Sequence, residues 1–263
     1  MLNKLLKYDL KYMIRNMSVF YILSIFFAIT TRILFSIEQT VIVKIISQIS
    51  VGCLFAMVAN ILINTLMRSW VRFRDSIYKD ESYLTHTLPV TKNNIYDSKF
   101  IQALIFFVIG FAVIILSIFI AYYTQERWLV VKELINKITT GLEFNTWLFI
   151  ISMLAVIFLE IFNAIQCGFL GIILGHKQNN NKIAFSVLFG FIAYLVAQSM
   201  VLFLTFISGL FNSNIMDLFK NTVLLDAKAF KLLVILAIVL YVLIIGIMNI
   251  ICKKIFNKGV NVE

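Results

Sequence analysis

An all-α membrane protein with six transmembrane helices is the fold class that this sequence predicts, and three observations lead to it. Six apolar runs are each long enough to cross a bilayer, since a spanning helix needs about 20 apolar residues. The composition is 61% hydrophobic and 14% charged, and the mean hydropathy is +0.95. A water-soluble core cannot enclose so many apolar residues in a chain of 263. The predicted spans are Val19–Ile37, Ile45–Leu66, Phe100–Tyr122, Trp147–Leu174, Ile183–Ile207 and Leu232–Cys252.

The positive charge predicts how these spans are oriented. Six spans put both chain ends on one side of the membrane, and roughly two thirds of the 23 Lys and Arg residues fall on that side. Such an excess marks the cytosolic side, so both termini and the loop 67–99 are expected in the cytosol. The richness in Lys, Ile and Asn suggests the plasma membrane of a low-GC bacterium. Because the basic residues flank apolar spans, the net charge of +10 does not indicate nucleic-acid binding.

The first seventeen residues have the pattern of an amphipathic helix lying on the membrane. Four basic residues share one arc, and apolar residues share the opposite arc. Asp9 falls inside the apolar arc, which suggests that it pairs with a basic group of a neighbouring chain or helix. The helix is expected to turn into the first span near Asn16; a plain anchoring helix is the alternative.

The stretch 67–99 is the one long cytosolic segment that the sequence predicts. Its charged residues recur at helical spacing after the second span, so that span is expected to continue as a polar helix. Pro89 should end the local structure and bias Leu88 toward an extended conformation, and Thr91 is placed to cap the next helix. Between them, exposed Tyr83 and Leu84 would be a liability unless something binds them. The alternative is a loop packed on its own helices.

Polar residues at membrane depth are the candidates for a substrate pathway. Glu160 is the one acidic residue deep within a predicted span, where a charge costs at least about 2–3 kcal/mol. Asn163 lies on the same helical face, and Asn60 and Asn64 form a second polar stripe on the second span. We expect both stripes to face a cavity between paired chains. The alternative is that these side chains hydrogen-bond between helices and carry nothing.

Several further features predict packing rather than chemistry. The three cysteines lie in or at the ends of spans and are interpreted as apolar packing residues. Gly171 and Gly175 form a G-x-x-x-G pair, which permits close helix approach. Residues 126–138 predict an interfacial helix, and residues 209–231 a re-entrant or interfacial pair of short helices.

The order of the predicted helices and the sequence of one loop together resemble a known family. An amphipathic first helix, six spans, and a loop reading Thr-Leu-Pro-Val-Thr-Lys and then Ile-Tyr-Asp-Ser-Lys-Phe are similar to the permease subunits of ABC-2 type transporters. The resemblance covers most of the chain in layout but is sharp only over Glu81–Phe100. It implies one ABC-2 type transmembrane domain over 1–263, with an elbow helix at 1–17 and a coupling loop at 67–99. It also implies that the coupling helix docking on a separate ATP-binding subunit comprises Glu81, Ser82, Tyr83, Leu84, Thr85 and His86.

The same resemblance implies partners and cargo. The expected partners are two ATP-binding subunits, which would hold the ATP and Mg²⁺, and a second permease chain in a homodimer or related heterodimer. Amphipathic or antimicrobial peptides are the expected exported cargo, with sodium, lipids or drugs as the alternatives. The sequence has no G-x-x-x-x-G-K-[ST] phosphate loop, so the chain is not expected to be an ATPase, and neither a cofactor nor a metal site is predicted in it. An intramembrane enzyme is disfavoured because His86 and His176 are both predicted to be cytosolic. A motor-independent channel or scaffold remains the alternative.

Overall fold

The architecture is helical throughout the part of the chain that the structure describes. The computed structural model describes residues 2–38, 40–79, 81–212, 215, 216, 219 and 227–258, and no strand occurs among them. The helices are α1 (Leu2–Ser36), α2 (Val41–Tyr78), α3 (Ser82–Thr87), α4 (Lys92–Tyr122), α5 (Gln125–Gly141), α6 (Thr146–Gly175), α7 (Lys182–Phe211) and α8 (Ala227–Asn257).

Six of these helices have the length and composition of membrane spans. They are α1, α2, α4, α6, α7 and α8, which confirms the six predicted apolar spans and identifies a multi-pass membrane protein. The helices are longer than the apolar runs that predicted them. With 38 residues and a rise of 1.5 Å per residue, α2 is about 57 Å long, which is well beyond a hydrocarbon core of about 30 Å. Its polar end therefore extends past the membrane core, as the sequence predicted.

The chain's contacts are concentrated in two compact units, Met1–Leu129 and Val130–Glu263. In the first unit α1, α2 and α4 pack on one another, and α3 contacts α2. In the second unit α6 packs against both α7 and α8. The boundary between the units falls within α5. The single domain predicted over 1–263 stays a prediction.

The elbow helix predicted at 1–17 is not a separate element. Instead α1 runs unbroken from Leu2 to Ser36, because no Pro or Gly interrupts its backbone hydrogen bonds near Asn16. Its inward face repeats every four residues and includes Asp9, Met13 and Met17, all at most 1% exposed. Thus the face that carries Asp9 packs against the unit's own helices.

The loop between α2 and α4 has the predicted local structure. Leu88, before Pro89, is extended with φ −65° and ψ 139°, and α3 ends at Thr87. The side chain of Thr91 accepts a hydrogen bond from the backbone N–H of Asn94 at 3.4 Å and so caps α4. Proline therefore separates two helices whose ends are defined by ordinary capping chemistry.

Hydroxyl pairs join the buried faces of the first unit. The Ser24 and Ser117 hydroxyls lie 2.9 Å apart between α1 and α4, and those of Thr31 and Ser50 lie 2.9 Å apart between α1 and α2. Small side chains such as Ala28 fill the space between the pairs. Buried hydroxyls that satisfy one another are a usual means of joining membrane helices.

The second unit is closely packed around small residues. A Cβ atom placed on Gly171 would lie 2.5 Å from both the Cα of Gly190 and the carbonyl oxygen of Ser186 on α7. One placed on Gly175 would lie 2.6 Å from the Cα of Ser186. The predicted close approach at the G-x-x-x-G pair is confirmed, and α7 is the helix that makes it.

The three cysteines and the segments predicted on the outer face were also interpreted from the sequence. Cys167 and Cys252 are buried and Cys53 is half-buried, which agrees with the interpretation of all three as packing residues. Residues 126–138 are helical within α5, whose apolar side chains are exposed; its position at a membrane surface stays a prediction. Of the segment 209–231, in which short helices were predicted, residues 209–211 belong to α7 and 227–231 to α8. Most of 213–226 lies outside the described residues, so the short helices stay a prediction.

Candidate functional site

The short helix α3 presents two large apolar side chains outward. Ser82 and Thr85 are buried, whereas Tyr83 is 72% exposed and Leu84 is 73% exposed. Because α3 contacts α2, its buried side faces the first unit and its apolar side faces away. Of the predicted coupling segment 81–86, residues 82–86 lie in α3 and Glu81 directly precedes it. The side chain of His86 is outside the described part of the structure.

A buried cluster of charges lies beside α3. Asp9 Oδ1 accepts hydrogen bonds from Arg72 Nε at 3.0 Å and from Lys99 Nζ at 2.6 Å. Asp9 Oδ2 accepts a hydrogen bond from the Ser98 hydroxyl at 3.3 Å. One carboxylate on α1 thus joins α2 and α4. The prediction that Asp9 pairs with a basic group of a neighbouring helix is confirmed.

Arg72 extends this charge cluster to the start of α3. Its guanidinium lies 2.7 Å from the Glu81 carboxylate and 4.4 Å from the centre of the Tyr12 ring. A planar guanidinium can bind two carboxylates along different edges, which a lysine ammonium does less well. Arg72 and Lys99 balance Asp9 and Glu81, so the cluster has no net formal charge. We call these four residues the charge cluster.

The arrangement of the charge cluster was not evident from the sequence, although its component residues were. Both Arg72 and Lys99 counted toward the positive bias of the cytosolic loop, and Arg72 also toward the polar continuation of the second span. Both are nevertheless largely buried, at 8% and 4% exposure. A signal was present: Thr65, Ser69, Arg72 and Ser76 recur at spacings of three and four on the buried face of α2. A basic residue within a stripe of small polar residues indicates an inward-facing charge.

A second polar network lies within the second unit, at membrane depth. Glu160 Oε1 accepts hydrogen bonds from the Tyr194 hydroxyl at 2.6 Å and from Gln198 Nε2 at 2.7 Å, both on α7. The Tyr241 hydroxyl of α8 donates to Gln198 Oε1 at 3.2 Å. The sequence singled out Glu160 but missed all three partners. Tyr194 and Gln198 are four residues apart, so they share a face of α7.

The remaining predicted pathway residues divide between the two units. Asn163 is fully buried, and its Oδ1 accepts from the Cys167 thiol at 3.7 Å. On α2, Asn60 and Asn64 each donate from Nδ2 to a backbone carbonyl one turn earlier, at 3.0 Å. These two amides therefore bond within their own helix rather than between helices. Asn60 and Asn64 belong to the first unit, and Glu160 and Asn163 belong to the second. That both stripes face a cavity between paired chains stays a prediction.

Comparisons with known proteins add no relative. The sequence matches no family model, and it has no match among the curated proteins or the solved structures. Among the described residues, no three His, Cys, Asp or Glu side chains form a group that could hold a metal ion. The features of this chain that bear on function are therefore α3, the charge cluster and the Glu160 network.

Proposed function

We propose that this chain is the transmembrane subunit of an ATP-driven exporter, of the kind that ABC-2 type permeases represent. Two such chains would form the pathway in a bacterial plasma membrane, with both termini in the cytosol. Each would bind a separate ATP-binding subunit through α3, because this sequence has no phosphate loop of its own. Amphipathic or antimicrobial peptides are the proposed cargo.

The observation that carries this proposal is the contrast between the two sides of α3. Tyr83 and Leu84 are uncovered at 72% and 73% exposure, and a large exposed tyrosine beside a leucine is typical of a protein contact. At its start, Glu81 binds Arg72, which binds buried Asp9. A displacement of α3 would therefore act on α1, α2 and α4 through direct ion pairs.

Retention of an ATP-binding subunit tests the proposed docking. Purified in mild detergent from its native host, the chain is expected to retain an ATP-binding protein at one copy per chain. Replacing both Tyr83 and Leu84 with serine should reduce that retention at least tenfold, because the apolar contact area is removed. The measurement is the ratio of the two polypeptides after gel filtration.

Tyr8→Ser is the matched control, since Tyr8 lies on α1 and is also 72% exposed. It should leave retention unchanged. If the wild-type chain purifies without any ATP-binding protein, the exporter proposal fails. A motor-independent channel or scaffold then becomes the better hypothesis.

Thiol labelling in intact cells tests the proposed orientation. A cysteine introduced by Tyr83→Cys should resist a membrane-impermeant thiol reagent until the cells are opened, because α3 is proposed to be cytosolic. A cysteine introduced by Trp128→Cys on α5, where Trp128 is 52% exposed, should react from outside. The chain without introduced cysteines gives the background. Rapid labelling of position 83 in sealed cells would contradict the orientation and the docking together.

A further inference from the structure

Glu160 lies near the middle of α6, with one carboxylate oxygen fully occupied. It is fourteen residues from the start of that helix and fifteen from its end, about 21 Å from either end. Oε1 already accepts two hydrogen bonds, from Tyr194 and Gln198. Gln198 is itself oriented by the hydroxyl of Tyr241. Three side chains from two helices thus hold the carboxylate in a fixed position.

The other oxygen of Glu160 is buried without a partner in the described part of the chain. Oε2 accepts no hydrogen bond there. Three residues further along α6, Asn163 is 0% exposed, and its Nδ2 donates to no acceptor in the same part of the chain. Side chains three positions apart on a helix are neighbours, with Cβ atoms about 5–6 Å apart. An open acceptor and an open donor therefore lie side by side.

Among the described residues of α6, α7 and α8, no Lys or Arg lies near the middle of a helix, where the open acceptor is. The basic side chains of these described residues lie within the first or last few positions, at Lys182, Lys228, Lys231, Lys253 and Lys254. Unpaired polar groups at membrane depth each cost several kcal/mol. A ligand that carries a positive group with an acceptor beside it would occupy both open positions.

We propose that Glu160 and Asn163 bind the amino end of a peptide. A peptide's terminal ammonium is a cation that donates to Oε2, and its first carbonyl oxygen, about 3 Å away, accepts from Asn163 Nδ2. An amine without a carbonyl beside it fills only one of the two positions. This inference rests on the proposed function, because it names the feature of the peptide cargo that the pathway recognises.

Binding to the purified chain in lipid nanodiscs tests the inference directly. The probe is the peptide Leu-Ala-Leu-Ala-Leu-Ala, labelled at its carboxyl end with a fluorophore, with its amino end either free or acetylated. Fluorescence anisotropy reports binding, and empty nanodiscs give the lipid background for each form. The wild-type chain should bind the free form at least ten times more tightly, because a hydrogen bond to a charged group contributes about 1.5–3 kcal/mol.

Substitutions at Glu160 and Asn163 distinguish the contact with the ammonium group from the contact with the carbonyl oxygen. Glu160→Gln keeps the side chain's shape and should abolish the preference for the free amino end. Asn163→Ala should weaken both forms by a similar factor and retain the preference, since the carbonyl is common to both. Ser152→Ala is the control and should change nothing, because the Ser152 hydroxyl donates only to the Phe149 carbonyl on the same helix.

Equal binding of the two peptide forms by the wild-type chain would overturn the inference, whether or not any variant folds. A preference that persists in Glu160→Gln would overturn it as well. Neither result bears on docking at α3, which is tested by retention of the ATP-binding subunit. Conversely, the chain could retain no ATP-binding subunit and still prefer the peptide with a free amino end. That result would support the peptide site and contradict the exporter proposal.

Discussion

Asp9→Asn is expected to destabilise the chain by about 3–5 kcal/mol, because it removes the carboxylate that neutralises two buried cations. Arg72 and Lys99 would then lie close together with only Glu81 for balance. Glu81 is the more exposed partner, with 46% of its side chain accessible compared with 2% for Asp9, and its pairing with Arg72 is correspondingly weaker. The loss should appear as a lower unfolding midpoint of the chain in detergent, measured by the circular dichroism signal of its helices.

Two further variants isolate the role of buried charge. Asp75→Asn is the control, since Asp75 pairs with adjacent Arg74 where both side chains are partly accessible, and its expected cost is below about 1 kcal/mol. Adding Lys99→Met to Asp9→Asn should recover part of the lost stability, because it removes the surplus cation and fills its volume. An Asp9→Asn chain that unfolds at the wild-type midpoint would show that the ion pairs are not structural.

Gly171→Ala is expected to force α6 and α7 apart. The added Cβ would lie 2.5 Å from the Cα of Gly190 and from the Ser186 carbonyl oxygen. Those are backbone atoms, which cannot move without moving their helix, so the overlap is not relieved by a side-chain rotation. Overpacking of this kind costs roughly 1–3 kcal/mol. A second substitution, Gly175→Ala, meets the backbone of Ser186 and should increase the loss.

Gly246→Ala on α8 is the matched control for this prediction. A Cβ there meets nothing within 4 Å, and alanine favours a helix over glycine by up to about 1 kcal/mol. It should therefore be neutral or slightly stabilising in the same unfolding experiment. Equal midpoints for Gly171→Ala and Gly246→Ala would contradict the close α6–α7 approach.

The spans and the loop between α2 and α4 were predictable because their signals are local. Span length follows from apolar runs of about 20 residues, and the helix ends around Pro89 follow from backbone sterics and a threonine cap. Neither depends on which helices meet. Gly171 and Gly175 likewise predicted a close contact, although the partner helix was not evident.

The contacts that join distant residues were not predictable from pattern alone. Asp9 and Lys99 are separated by 90 positions, and the sequence treated Lys99 as part of a topology signal. Glu160 was recognised by its cost in a membrane, but Tyr194 and Tyr241 are individually ordinary residues of apolar helices. The sequence pattern also predicted that the first helix ends near Asn16. Backbone hydrogen bonds continue through that position, so α1 is unbroken there.

The division of contacts at Leu129 and Val130 bears on the order of assembly during synthesis. Every contact of the first unit described above, including that between Asp9 and Lys99, involves residues that are synthesised before the second unit begins. Translation proceeds at about 5–20 residues per second, so the second half follows over roughly 7–27 s. Helix formation takes about a microsecond or less. The charge cluster can therefore close while the nascent chain is still half made.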